Sequence, residues 1–142
     1  MSLWTYGDPA LQPQDNVLFR AQSTTNIVQG SVPWGDGNVY WDTGDGVSAC
    51  CVVGANRINK VAAATEYEGQ WNHYVFTKNT SANAMRIYLN GVQWHSGGGS
   101  QIIAGATTTA FNLGSHVDGI YNYDGHIDEF RLSNIERSES VM

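Results

Sequence analysis

The chain has 142 residues, of which 14% are charged, and its formal net charge is −6 because 13 Asp and Glu oppose 7 Lys and Arg. A chain of this length makes a single domain and buries a core large enough to need no metal or disulfide support. The acidic balance leaves no basic stripe for nucleic acid phosphates or for an anionic membrane surface. No apolar run approaches the roughly 18 residues of a membrane-spanning helix. We therefore expect neither nucleic acid binding nor membrane insertion.

Glycine and aromatic residues are abundant, with 16 of each, and long windows rich in Ala, Leu, Glu and Lys are missing. This composition indicates an all-β protein with many turns. Alternating apolar and polar residues between Gly, Pro and Asp turns predict strands, in chain order, at residues 1–7, 16–23, 24–34, 37–46 and 46–53. The following stretch, RINKVAAATEYEGQ, fits neither the helical nor the strand period, and we expect a loop and a short strand there.

The two cysteines, Cys50 and Cys51, are adjacent on the last of these predicted strands. Neighbouring residues on a strand point to opposite faces, so the two thiols cannot form an ordinary disulfide with each other. We therefore expect one thiol in the core and the other at the surface.

The middle of the chain carries the strongest strand signals. Residues 71–79, WNHYVFTKN, are apolar on both faces, which is typical of a central strand in a sandwich. The next stretch contains Asn90-Gly91, which predicts a type I′ hairpin because both central positions of that turn need a positive φ. Two further strands are predicted at residues 107–115 and 126–133. Nine or ten short strands of this spacing predict a two-sheet antiparallel β-sandwich, with a jelly roll as the favoured wiring.

Several motifs stand in a fixed order in the second half of the chain. They are GQWNH at residues 69–73, IYLNG at 87–91, GHIDEFR at 125–131 and a short terminal turn at 133–138. Together they resemble the laminin-G-like type of the concanavalin A-like lectin/glucanase jelly rolls, and SLWTYG and GNVYWDTGDG match the upstream strands of that type more loosely. The resemblance implies a non-catalytic module of a larger secreted or surface protein, hence extracellular, that binds glycans or other proteins.

Domains of this type usually begin with one more strand, ahead of the position where SLWTYG falls here. Residues 1–142 therefore resemble a single laminin-G-like domain that lacks the usual first strand. A missing strand leaves an exposed sheet edge, and such an edge is a template for pairing with another chain. We expect the gap to be filled by the partner in a homodimer, by a rerouted segment or by part of a parent chain.

The adjacent carboxylates Asp128 and Glu129 pose the question of catalysis. Retaining glycosidases hold two carboxyls about 5 Å apart, and the laminarinase-type relatives of this fold place two glutamates on one face of a strand. Here His126 and Asp128 share one face and Glu129 lies on the other, so the two carboxyls cannot converge. We therefore expect no catalytic residues and no enzyme activity. Backbone hydrogen bonds to Asp128 and an ion pair with Arg131 or Arg86 are expected to pin the strand instead.

Calcium is an open alternative for the aspartates. This ion prefers six to eight oxygen ligands, often supplied by Gly-rich loops. The stretch DTGDG offers Asp42 and Asp45 in such a turn, and Asp128 is the position that matches the calcium-holding relatives. Aspartates also form turns without any metal. Both a calcium site with these three ligands and the absence of any cofactor stay open.

Ligand binding is expected to depend on the aromatic residues. Trp41 and Trp71 lie in strand interiors and His73 shares the face of Trp71, so we expect all three in the core, with His73 hydrogen-bonded. A sugar presents an apolar C–H face to an aromatic plane, while its hydroxyls need polar partners. The candidate ligand-binding residues combine these properties in loops and turns: Trp34, Asp36, Asn38, Trp94, His95, Tyr121, Tyr123 and Asp124. We expect a carbohydrate-binding or adhesive module; the alternatives are a structural or protein-interaction module completed by a partner strand and, third, a glycan-active hydrolase.

Overall fold

The computed structural model describes residues 1–45, 53, 56–101 and 108–136. Within these ranges the chain forms ten β-strands and one 3₁₀ turn at Ala64–Glu66, and none of its helical segments is long or apolar enough to cross a membrane. The strands are β1 (Ser2–Gly7), β2 (Phe19–Gln22), β3 (Asn26–Ser31), β4 (Asn38–Asp45), β5 (Arg57–Val61), β6 (Asn72–Asn79), β7 (Ala84–Leu89), β8 (Val92–Gly97), β9 (Ala110–Leu113) and β10 (Gly125–Arg131). The predicted strand at residues 46–53, with Cys50 and Cys51, lies outside the described residues except for Val53.

The ten strands form two antiparallel sheets of five strands each. Sheet A has the order β10-β1-β6-β7-β8, and sheet B has the order β5-β4-β3-β2-β9. The predicted two-sheet antiparallel sandwich with jelly-roll wiring is confirmed. Strand β6 lies in the middle of sheet A, as predicted for the stretch WNHYVFTKN.

The core lies between the two sheets, where large side chains alternate with outward-facing ones. Sheet A contributes Leu3 and Phe76, which are at most 1% exposed. Sheet B contributes Phe19 and Trp41, and the ring centre of each lies 5.5 Å from that of Phe76. The indole N–H of Trp41 also donates a hydrogen bond of 2.9 Å to the backbone oxygen of Thr77. Trp41 therefore joins the two sheets as well as filling the core, and its predicted core position is confirmed.

The hairpin between β7 and β8 follows its sequence signal. Asn90 and Gly91 have φ angles of 51° and 83°, as the predicted type I′ turn requires. The side-chain oxygen of Asn90 accepts the backbone N–H of His73 at 2.8 Å, which ties the turn to β6. The predicted hairpin is confirmed.

The predicted core positions of Trp71 and His73 are wrong. Strand β6 begins at Asn72, so Trp71 precedes the strand, and 46% of its surface is exposed. His73 pairs with Trp4 across β6 and β1, and the two rings pack 5.0 Å apart on the outer face of sheet A. The inner face takes the alternate residues, beginning with Asn72, which is 1% exposed. Because both faces of this stretch are apolar, alternation alone does not say which face turns inward.

A β-bulge interrupts β10 at the adjacent carboxylates. Glu129 has a φ of 49°, and the pairing with β1 shifts register between Ser2 and Trp4. Asp128 accepts the backbone N–H of Glu129 at 2.7 Å, and Glu129 pairs with Arg131 at 2.9 Å. The predicted pairing with Arg131 is confirmed, but the predicted alternation of faces is wrong at Glu129. The bulge turns this side chain into the same outer groove as Trp4.

The two sides of the sandwich differ in how they are closed. Between β5 and β8 the ammonium of Lys60 lies 4.3 Å from the centre of the Trp94 ring and donates to the Trp94 carbonyl at 3.1 Å. Beside β9 and β10, Phe111 and Leu113 are 46% and 45% exposed, although Phe111 packs 5.5 Å from Phe130. The β9–β10 side is thus the open side of the described sandwich. The missing first strand and the homodimer stay predictions.

Candidate functional site

The loop between β3 and β4 presents Trp34 at the rim of sheet B. The backbone N–H of Gly37 donates to the Trp34 carbonyl at 2.8 Å, and the Trp34 N–H donates to the Asn38 carbonyl at 2.7 Å. Gly37 has a φ of 77°, a conformation that residues with a side chain adopt only with strain. The carboxylate of Asp15 also accepts the N–H of Gly35 at 2.9 Å. Trp34 is therefore held by backbone hydrogen bonds before any ligand arrives.

Trp34 forms one wall of a cavity on the outer face of sheet B, called the β4 pocket below. Its volume is about 240 Å³, slightly below the range of about 300–1,000 Å³ that is usual for drug-sized ligands. The pocket is lined by Gln29, Ser31, Trp34, Asp36, Tyr40, Asp42 and Arg57. Aromatic walls and a polar floor are thus combined in a space suited to a small polar molecule.

The floor of the β4 pocket is built on a buried ion pair. The side chain of Asp42 is 1% exposed and accepts two hydrogen bonds from Arg57, at 2.6 and 2.8 Å. Burial raises the pKa of the Asp42 carboxyl, and the hydrogen bonds and charge of Arg57 oppose that rise. The guanidinium also lies 4.5 Å from the centre of the Tyr40 ring, while 26% of the Arg57 side chain stays exposed. Arg57 is therefore fixed in direction and still open to a ligand on one side.

Asp36 and Tyr40 form a second polar pair at the pocket mouth. The Tyr40 hydroxyl donates to one carboxylate oxygen of Asp36 at 2.7 Å, and the Asn38 N–H donates to the other at 2.9 Å. Burial raises the pKa of Tyr40 to about 12, with a further contribution from Asp36. Burial alone would also raise the pKa of Asp36, but these two hydrogen bonds outweigh it and lower that pKa. Asp36 therefore presents an ionised acceptor at neutral pH.

A third aromatic ring extends the pocket rim. Tyr121 is 40% exposed, and its ring centre lies 5.1 Å from that of Trp34. His116 packs against the Tyr121 ring edge to face at 6.0 Å and pairs with Asp118 at 2.5 Å. Two predicted aromatic residues that are far apart in the chain thus form one aromatic edge.

The other predicted ligand-binding residues are divided between the pocket and a second place. Asn38 lies beside the β4 pocket, where its side-chain oxygen accepts a hydrogen bond of 3.0 Å from Asn59. Trp94 lines a separate depression of about 410 Å³, and its indole N–H donates to Glu66 at 2.7 Å. His95 packs next to Trp94 at 6.3 Å, and burial is the main cause that lowers its pKa. The structure does not bring these two residues to the pocket.

Tyr123 and Asp124 support the fold. Tyr123 is 9% exposed and belongs to the core cluster, so its ring is not offered to a ligand. The backbone carbonyl of Asp124 accepts the N–H of Asp8 at 3.0 Å and the side-chain amide of Gln12 at 3.1 Å. Half of the predicted ligand-binding residues therefore meet at the β4 pocket.

The predicted calcium ligands do not come together in the described part of the chain. Among those residues no cluster of three or more His, Cys, Asp or Glu side chains suits a metal ion. Asp42 and Asp128 lie in different sheets, and Asp42 is already paired with Arg57. The side chain of Asp45 lies outside the described residues. Calcium therefore stays a prediction.

Three residues of the pocket, Gln29, Tyr40 and Arg57, are not among the predicted ligand-binding residues. The period of two along β4 places Tyr40 and Asp42 on one face, and this signal could have indicated the aromatic ring. Arg57 reaches Asp42 only because the two residues are partners in the register between β4 and β5. That register is not readable from either strand alone.

Comparison with known proteins identifies relatives of this fold. A laminin G family described as the concanavalin A-like lectin/glucanases superfamily matches residues 1–141. No curated protein matches the sequence. The receptor binding domain of botulinum neurotoxin mosaic serotype C/D, solved with tetraethylene glycol bound on its Hcn sub-domain, is similar with a TM-score of 0.53 and 16% identity. A second structure of that toxin domain gives a TM-score of 0.51 and 17% identity.

These two likenesses concern the fold alone, because the identities are low. Each covers 94% of this chain but only 33% of the toxin chain. The chain therefore spans about a third of the length of the structures it resembles.

Proposed function

Because the chain belongs to the concanavalin A-like lectin/glucanases superfamily, we propose that it is a non-catalytic carbohydrate-binding module of a larger secreted or surface protein. The observation that carries the proposal is the β4 pocket, where partly exposed aromatic rings stand beside oriented polar groups. Sugars need both, since each ring has an apolar C–H face and an edge of hydroxyls. The two toxin structures of similar fold are receptor binding domains, which is consistent with recognition at a surface.

The pocket geometry suits a single sugar ring. Trp34 and Tyr121 offer aromatic faces for stacking, and aromatic faces carry the negative potential that attracts C–H groups. Asp36 can accept from a sugar hydroxyl, and Arg57 can donate to the neighbouring hydroxyl from its exposed side. The ion pair with Asp42 keeps the guanidinium from collapsing into the pocket, so little order is lost on binding.

The adjacent carboxylates support a non-catalytic role. Retaining hydrolysis needs two carboxyls about 5 Å apart across a cleft. Asp128 accepts the backbone N–H of Glu129, and Glu129 is paired with Arg131. Both carboxylates therefore stabilise the bulge of β10, which favours binding over hydrolysis.

The proposal is tested by titrating the purified domain with a panel of monosaccharides and short oligosaccharides, by calorimetry and by NMR. We expect Trp34→Ala to weaken binding about tenfold or more, as expected for an aromatic anchor, and Trp34→Phe to keep most of the affinity. Trp94→Ala is the matched control, because it removes the same ring from a different cavity. Each titration is repeated with calcium and with EDTA, and binding lost on chelation would support the calcium prediction.

Two results would contradict the proposal. If no sugar binds in either buffer, the proposed carbohydrate-binding function is wrong. Binding that Trp94→Ala abolishes and Trp34→Ala leaves unchanged would move the site to the depression beside β8.

A structural or protein-interaction module is the second candidate, favoured by the open β9–β10 side. Phe111 and Leu113 belong to an inner face and yet are nearly half exposed. An added strand would cover them and would pair with the outer edge of β9, which has no partner among the described strands. Sedimentation or light scattering over a range of concentrations tests this, and self-association that Leu113→Asp abolishes would support it.

A further inference from the structure

The outer face of sheet A carries five aromatic rings that the β4 pocket does not use. They are called the aromatic platform below and comprise Trp4, Tyr6, Trp71, His73 and His126. Tyr6, Trp71 and His126 form a triangle with ring centres 5.9, 6.1 and 6.5 Å apart, and Trp4 lies against His73 at 5.0 Å. Trp4 and Trp71 are 37% and 46% exposed. Exposed aromatic patches on a folded domain are typical of interaction sites.

Strand pairing explains why the rings face outward together. The alternate residues of β1, Leu3 and Thr5, are fully buried, which turns Trp4 and Tyr6 to the outer face. The strand register then places Trp4 beside His73 of β6, and it places Tyr6 beside His126 of β10. One row joins Trp4 to His73, and the other joins Tyr6, Trp71 and His126, so the rings support one another within each row before a ligand binds.

A groove of about 780 Å³ continues from the platform beyond Trp4. Val75 and Thr77 of β6 line it, together with Glu129 and Arg131, which the bulge of β10 turns toward it. It therefore offers hydroxyl, carboxylate and guanidinium groups next to an aromatic wall, in a volume more than three times that of the β4 pocket.

The segment that follows β10 forms the far wall of this groove. Leu132, Ser133 and Ile135 line it, and Glu136 holds the segment against sheet A. The Glu136 carboxylate accepts hydrogen bonds from Thr77 at 3.2 Å and from Asn79 at 3.1 Å, and it pairs with Arg86. The wall is thus fixed to β6 and β7, so the groove is a built feature of the described fold.

We propose that the aromatic platform and the groove bind an extended, uncharged polysaccharide chain. One sugar stacks on Trp71, the next stacks on Trp4, and a third enters the groove. The inference rests on the proposed function for its chemistry but uses the opposite face of the sandwich. It assigns a single sugar to the β4 pocket and a run of sugars to sheet A.

Charge selects an uncharged chain. Asp128 and Glu129 stand along the bordering strand, and Arg131 is already paired with Glu129. The chain as a whole carries a net charge of −6, which repels an anionic polysaccharide at long range. Stacking on flat rings needs no charge on the ligand. Hydrogen bonds to the sugar hydroxyls then fix the position of the polysaccharide along the groove.

The experiment uses the intact domain and two kinds of probe, namely hexasaccharides of uncharged glucan, xylan and mannan and the matching monosaccharides. We expect Trp71→Ala to lower hexasaccharide affinity about tenfold or more and to leave monosaccharide binding at the β4 pocket unchanged. Trp34→Ala should lower monosaccharide affinity and leave hexasaccharide affinity unchanged. Trp4 lies inside a central strand, so its ring is tested by Trp4→Phe, which should keep hexasaccharide affinity within about threefold. Trp71 precedes its strand, so its removal leaves the sheet pairing intact.

The outcomes separate this inference from the proposed function. Monosaccharide binding that depends on Trp34, with hexasaccharide binding unchanged in Trp71→Ala, would overturn the inference and leave the function standing. Hexasaccharide binding that depends on Trp71, with no monosaccharide binding that depends on Trp34, would support the inference and remove the β4 pocket. Self-association that Trp71→Ala abolishes, without any sugar binding, would show an interface between copies and overturn both.

Discussion

Replacing Arg57 by Met tests whether the Asp42 carboxylate below the β4 pocket is buried in its charged form. Methionine keeps an aliphatic side chain of similar length and removes both hydrogen bonds to Asp42, which is 1% exposed. It also removes the guanidinium that lies over the Tyr40 ring. Breaking one partner of a fully buried pair costs about 3–5 kcal/mol. Arg57 is 26% exposed, so water reaches the vacated side, and we expect a loss of about 2–3 kcal/mol in the free energy of unfolding at pH 7. For a domain of this size that is a fall in Tm of about 6–10 °C.

The pH dependence supplies a second readout of the same variant. Burial already raises the pKa of Asp42, and loss of Arg57 removes the opposing effect. A carboxyl whose folded pKa lies above its unfolded value makes the folded state bind more protons, so stability rises as pH falls through the folded pKa. Urea unfolding followed by tryptophan fluorescence should therefore show a deficit in Arg57→Met that shrinks from pH 7 toward pH 5.

The control is the double variant Asp42→Asn with Arg57→Met, which removes the buried charge together with its partner. It should recover about 1 kcal/mol or more relative to Arg57→Met alone. A single variant that loses less than about 1 kcal/mol, with no dependence on pH, would refute the idea that Asp42 is buried as a charge.

Three further predictions concern the sandwich itself. Gly7→Ala should cost about 2–3 kcal/mol in thermal unfolding, because the added Cβ would stand 2.3 Å from the backbone oxygen of Tyr67, and a near-neutral result would contradict this contact. Trp41→Phe should cost about 2 kcal/mol in urea unfolding, since it removes the indole hydrogen bond to the backbone oxygen of Thr77 and part of a buried ring, and a near-neutral result would contradict both contributions. Burial lowers the pKa of Lys78 to about 8, so the unfolded chain holds this proton to higher pH and wild-type stability should rise between about pH 8 and 10. Lys78→Met should lack that rise when urea midpoints are compared at the two ends of the range.

The sequence predicts those parts of the fold that one turn or one strand decides. Asn90-Gly91 needs only two positive φ angles, and the hairpin follows from that requirement. The β4 pocket is different, because it depends on which strands become neighbours. Arg57 meets Asp42 across a strand register, and Trp34 meets Tyr121 from a distant loop. Local patterns place such residues on a face but do not bring them together.

The errors of face also have physical causes. Glu129 adopts a left-handed conformation, which Gly or Asn would usually indicate in a sequence. The sequence therefore gives no sign that the alternation of faces along β10 is interrupted at this residue. Trp71 and His73 belong to a stretch with two apolar faces, and only one of them can turn to sheet B. The other face becomes part of the aromatic platform. Apolar residues on both faces usually indicate burial, but in this strand one of the two apolar faces is exposed.

Strand β1 lies inside sheet A, between β10 and β6, and this position has a consequence for how the chain folds. Thr5 near the start of the chain pairs with Ile127, so sheet A cannot be completed by local hairpins. Closing so long a loop costs entropy before the new contacts stabilise it, and such topologies fold slowly. During synthesis β1 leaves the ribosome long before β10 does. Until β10 is made, the edge of β1 that later pairs with it stays open, and Trp4 and Tyr6 lack their neighbours on that strand. The hazard of aggregation for this domain therefore falls on the nascent chain, in the interval before the last strand is made.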